Sequence, residues 1–173
     1  MRFVWTMAVV AGLIAATVST DRQPVLAADA KQPDPAAVER TREQVKMLDD
    51  LYKTAVVAIT ATYVDQQANT PAAAVAKKVF EAMHQKGYHH ARLIDATGKP
   101  KNKSNVAVSD FEKRAVEAIR GGKPYVDEVA DRDGKPILRA ATIVPAVMKE
   151  CTICHGVKEG MLLGVITYEV PIK

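Results

Sequence analysis

Leu163-Gly164-Val165-Ile166-Thr167-Tyr168-Glu169-Val170-Pro171 is the stretch on which the fold turns. Its β-branched side chains lose rotamer freedom in a helix, Gly164 adds backbone entropy, and Pro171 removes a donor. The run from Leu162 to Ile172 therefore reads as a closing strand. Working back along the chain, Tyr125–Ala130 and Ile137–Val144 are two further strands. Asp131-Arg132-Asp133-Gly134 joins them as a hairpin turn. Tyr88–Asp95 is another strand, ended by Thr97-Gly98-Lys99-Pro100. Between these segments Ser109-Asp110-Phe111-Glu112 is a capping box, and the helix it opens stops at Gly121-Gly122.

Helices come first. Asp34-Pro35 pairs an N-cap carboxylate with a proline at the first helical position. Val45, Leu48, Tyr52, Ala55, Ile59 and Thr62 then recur at alternating spacings of three and four, which predicts one long helix to about Gln67. Asn69-Thr70-Pro71 interrupts it. A second helix follows with Val75, Val79, Phe80 and Met83 inward, and Gly87 ends it. The class is α+β: a mostly antiparallel sheet with a long N-terminal helix.

The chain has 173 residues, 48% hydrophobic and 25% charged, a composition that excludes collagen, wholesale disorder and a multi-disulfide scaffold. Aromatics make up 5% and the net charge is +4 with no dense basic run, so no nucleic-acid partner is expected. Arg2 followed by the apolar run Phe3–Val18, with small residues near Ala27, reads as a signal peptide over residues 1–27. The run is shorter than the ~20 residues of a membrane-spanning helix. Export is expected, with membrane attachment only if this segment stays uncleaved. Residues 28–44 are then a leader and the start of the long helix, and residues 45–173 the working domain.

Both cysteines lie in Cys151-Thr152-Ile153-Cys154-His155. This is C-x-x-C-H, the attachment sequence for c-type haem. Two thiols at this spacing can each form a thioether with one haem vinyl group, and the next imidazole reaches the iron from the same side. Random placement of two cysteines and four histidines yields the motif in about 1 of 3,700 chains. A structural disulfide, a redox-active dithiol and a structural zinc site are the competing readings. The disulfide closes too small a loop to stabilise much. The dithiol lacks a βαβ context, and zinc lacks a second cysteine pair. The expected cofactor is one covalent haem c on Cys151 and Cys154, with His155 as proximal ligand. Only 18 residues follow His155, which leaves no room for the later methionine of small electron-carrying cytochromes. The closing strand likewise excludes the final helix of a four-helix-bundle cytochrome. The haem is expected to hang on a turn, around Met148–Gly156, before that strand.

With this late motif the sequence resembles a family of bacterial haem-binding sensor domains of PAS-like fold, over about Val45 to Ile172. The resemblance rests on the long helix, the loop Gly98-Lys99-Pro100-Lys101-Asn102-Lys103-Ser104-Asn105, Asp110-Phe111-Glu112, and Cys151 to Gly156 ahead of the glycine-containing strand. Lys101 stands where arginine is common. The resemblance implies a c-type haem against an antiparallel sheet of five or so strands, with the long helix nearby. It implies a redox or gas (NO, CO or O₂) sensor working with a separate redox or signalling partner. A periplasmic electron carrier and a small haem oxidoreductase are the alternatives, and the sequence shows no acid–base pair beside the motif. The oligomeric state is open.

The sixth iron position distinguishes these roles. A distal cysteine that can serve in the family has no counterpart here, since there is no third cysteine. His89 and His90 are adjacent on a strand and point to opposite faces. His89 shares the more apolar face with Ala91 and Leu93 and is the preferred distal ligand or haem-pocket residue, ahead of Tyr63 and His90. His84 reads as a helix-end histidine. Met148 and Met161 read as packing residues, and Arg92, Lys101 and Arg139 as candidate partners for the haem propionates.

Overall fold

The computed structural model describes residues 32–65 and 72–173. The expected signal peptide, the Asn69-Thr70-Pro71 break and the side chain of Tyr63 lie outside the described residues. Pro33–Lys173 form one compact unit. Its elements in chain order are α1 (Pro35–Asp65), α2 (Ala72–Gln85), β1 (His90–Asp95), α3 (Asp110–Arg120), β2 (Tyr125–Arg132), β3 (Lys135–Pro145), α4 (Lys149–His155) and β4 (Leu162–Pro171). The class is α+β as expected, with four strands in one antiparallel sheet of order β1-β4-β3-β2. The five or so strands implied by the family resemblance are four among the described residues.

The closing strand β4 takes an interior place, paired with β1 on one side and β3 on the other. Residues 164–168 of β4 are all buried because helices cover both sheet faces there. On one face Leu138, Ala140, Ile166, Tyr168 and Val170 pack with Val45, Leu48 and Tyr52 of α1 and Phe80 of α2. On the other, Ile94, Ala141 and Val165 meet Phe111, Ala115, Val116 and Ile119 of α3. Asp49 fastens α1 to the sheet. Its Oδ1 accepts from the Thr142 hydroxyl at 2.5 Å and the Tyr168 hydroxyl at 2.9 Å, and Oδ2 pairs with Lys53 Nζ at 2.6 Å. Burial and the Asp49 carboxylate push the Tyr168 phenol far above its ordinary pKa, so it remains a donor.

Several boundaries differ from the sequence reading. The first strand begins at His90, because the Tyr88 amide bonds back to the Met83 carbonyl in the α2 exit turn. The inward face of α2 centres on Ala76 and Phe80, and Val79 is exposed. The hairpin strands run on to Arg132 and from Lys135. Only Asp133 and Gly134 remain as the connection, both at positive φ, the two-residue turn that matches the strand twist. The capping box forms as expected, with Ser109 Oγ accepting from the Glu112 amide and Glu112 reaching back to the Ser109 amide.

Candidate functional site

Cys151, Cys154 and His155 lie on α4, a seven-residue helix, where the sequence reading expected a turn. Met148 starts it by accepting the amides of Cys151 and Thr152 at 3.0 and 3.3 Å. Gly156 ends it at φ 66°, a left-handed cap that a side chain would strain, with its amide bonded to the Thr152 carbonyl. The helix is held at the end of the sheet by a closed stem. The Ala146 amide donates to Met161 O and the Gly160 amide to Ala146 O, both at 2.8 Å. The motif therefore sits on a short loop with a rigid base and no buried residue of its own.

Three residues apart on a helix, the two cysteines share a face, with Cβ atoms about 5–6 Å apart. Both thiols are free. Cys151 is half-buried, while Cys154 and His155 are exposed. None of these three side chains has a hydrogen bond or ion pair with a described residue. Among the described residues no three or more His, Cys, Asp or Glu side chains converge to hold a metal. Lys101 arrives from the loop after β1, and its ammonium donates to the Cys154 carbonyl. Water removed from around the His155 ring, and then the Lys101 charge, lower its pKa, with Asp95 acting the other way. The imidazole is thereby biased to its neutral, ligand-competent form.

Apolar side chains stand uncovered around the motif: Ile153 is 68% exposed, Val147 52% and Met161 49%. Met161, read as a packing residue for the porphyrin or core, is half exposed beside the motif, and its sulfur accepts the Lys158 amide at 3.3 Å. Of the three cations considered for propionates, the structure brings only Lys101 to the motif. Arg92 is committed to Glu112, and Arg139 to Glu169 and Glu128.

His89 is not brought to His155. It precedes the opposite end of β1 from Asp95, the strand residue whose charge reaches His155. Six residues of strand put about 20 Å between those two ends. His89 is 6% exposed and its Nε2 lies 2.7 Å from the Tyr52 hydroxyl. Its burial on the apolar face follows the sequence reading; its surroundings are α1 and the core, not α4. His90 shares that far end, where Nδ1 lies 3.7 Å from Glu169 Oε2 and its ring 4.7 Å from that of His84. Sequence reasoning missed Tyr52 as the partner of His89, although Tyr52 stood on the inward stripe of α1 and His89 on the inward face of its strand. It also missed Asp95, which nothing local in the sequence associates with the motif.

The Tll0287-like family model matches residues 31–167, a span that contains every helix among the described residues and the motif. No curated protein matches the chain.

Proposed function

The chain belongs to the Tll0287-like family, and we propose that it is an exported protein carrying one covalent haem c, acting as a haem-based redox or gas sensor. Cys151 and Cys154 form the two thioethers and His155 is the proximal iron ligand. The observation that carries this reading is the set of three unpartnered side chains, two thiols and an imidazole, on one exposed helix whose base is pinned to the sheet. The residues fit the group. Val147, Ile153 and Met161 offer apolar surface to a porphyrin, and Lys101 offers a cation to a propionate. When bound, the haem supplies an iron that changes oxidation state or takes a diatomic ligand.

The protein's own part is positional. The Ala146–Gly160–Met161 stem fixes where α4 leaves the sheet, Gly156 turns the chain back, and the neutral bias of His155 keeps a lone pair ready for iron. We read the fold as PAS-like, supported by the antiparallel sheet with long α1 across one face. An exposed motif favours exchange with a redox or signalling partner or with a dissolved gas. An electron carrier and a small haem oxidoreductase are the rival roles.

The test is the absorption spectrum and intact mass of protein exported with haem-maturation factors. The mass should rise by one haem, the pyridine haemochrome should be of the c type, and Cys151→Ser with Cys154→Ser should abolish both. Bare polypeptide from that host overturns the reading. CO-shifted ferrous bands select the gas sensor; a low-spin spectrum indifferent to CO selects electron exchange. Steady substrate turnover selects the oxidoreductase.

A further inference from the structure

We infer that a cleft at the opposite end of β1 from α4 binds a small monocarboxylate with a short apolar body. The cleft has a volume of about 410 Å³ and lies between the Arg40–Leu48 stretch of α1, the end of α2 with its connection to β1, and the end of β4. That volume falls within the range of small-molecule sites, roughly 300–1,000 Å³. Arg40 and Lys173 bring two cations to it, Gln44 an amide, and no Asp or Glu side chain lines it. Leu48, Met83 and Val170 supply apolar wall. Tyr88, an exposed aromatic ring, stands at its rim.

Two buried polar residues line the cleft, Thr41 and His89; the Thr41 hydroxyl already donates to the Ala37 carbonyl at 2.8 Å, and the hydrogen-bond pattern decides what His89, nine-tenths buried, presents. The Tyr52 hydroxyl is buried and has no other partner among the described residues, so it donates to His89 Nε2. The reverse polarity would leave a buried phenol hydrogen without an acceptor, at a cost of about 1–3 kcal/mol. A neutral imidazole that accepts at Nε2 carries its proton on Nδ1. Burial, and then the neighbouring His90, favour that neutral form. Nδ1 has no partner among the described residues, yet no unpartnered side-chain nitrogen or oxygen is sealed from solvent. His89 lines the cleft, and with Nε2 engaged by Tyr52 its Nδ1–H is the donor it has left to offer there.

One buried donor, two cations near the mouth and an apolar wall between them match a carboxylate on a short hydrocarbon. A phosphate calls for more donors than this floor provides. Arg40 Nη2 already donates to the Lys173 main-chain oxygen at 3.3 Å, which holds the guanidinium over the cleft with further N–H groups to offer.

The test is a ¹⁵N NMR titration of the full chain with hexanoate, and with hexanol and inorganic phosphate as separate arms. Hexanoate should move the His89 and Tyr88 signals with a dissociation constant of about 1 mM or tighter. Hexanol should bind at least tenfold more weakly, about the worth of a charge-assisted contact, and phosphate should leave both signals in place. Arg40→Gln, at an exposed position, should weaken hexanoate roughly tenfold with an unchanged unfolding midpoint. His89→Gln should weaken it as well; if that variant fails to fold, Arg40→Gln carries the test alone. Still signals at about 10 mM hexanoate, equal binding of hexanol or phosphate, or an unaltered Arg40→Gln isotherm overturns the inference. The outcome does not depend on haem attachment, which is read from mass and spectrum at the other end of the strand.

Discussion

Replacing Glu112 by glutamine should destabilise the protein by about 2 kcal/mol at neutral pH. Glu112 is a buried carboxylate at the start of α3. Its Oε2 accepts the Val108 and Ser109 amides at 2.7 and 3.0 Å, and its Oε1 accepts Arg92 Nη1 from β1. Glutamine keeps the shape but has one oxygen, so its NH₂ must confront either the two amides or the guanidinium. At least one charge-assisted bond is lost, worth about 1.5–3 kcal/mol. Water reaching Arg92, whose side chain is 24% exposed, returns part of that. Burial alone would raise the Glu112 pKa, but the Ser109 and Val108 amides and then Arg92 outweigh it, and the folded value lies below the ordinary 4.5. The stabilisation is therefore full above that ordinary value and lost as pH falls through the folded one. Urea unfolding of both proteins across pH measures this directly. The gap should be widest at neutral pH, about 2 kcal/mol, and should narrow in acid, because glutamine does not titrate. A gap under about 0.5 kcal/mol at neutral pH, or one that stays constant down to about pH 3, refutes the reasoning.

Gly164→Ala should cost about 1–3 kcal/mol. An added Cβ would stand 2.7 Å from the Ile94 carbonyl oxygen, a backbone atom that can move only by opening the β1–β4 pair. An unchanged urea midpoint would reject the register. Tyr52→Phe should cost more than Tyr168→Phe. The first leaves His89 Nε2 buried without a partner, whereas the second leaves Asp49 still bonded to Thr142 and Lys53. The opposite order of melting temperatures would show that the Tyr52–His89 contact contributes little.

Much of the scaffold was legible because local rules and burial agreed. The capping box at Ser109 and Glu112, the hairpin at Asp133-Gly134 and the alternating stripe of α1 each depend on residues near one another in sequence. Around Met148–Gly156 the sequence predicts a turn, because the seven residues of α4 give too little periodicity and its start depends on main-chain acceptance by Met148. Pattern alone places Val79 inward on α2, while the way α2 meets the sheet edge turns Ala76 and Phe80 to the core.

The chemistry of the motif belongs to the chain itself. Two sulfurs and an imidazole within five consecutive residues need no tertiary contact to define what they can hold. Strand character around Val165 and Ile166 is likewise intrinsic, since β-branching acts through each residue's own torsions. Which strand lies beside which, and thus that His89 faces Tyr52 while Asp95 and Lys101 stand near His155, is decided by strand pairing and by the side of the sheet that α1 covers. Those choices join residues tens of positions apart. Alternation along one strand says that two histidines face opposite ways, but only the packed sheet sets the distance from either one to the helix at its other end.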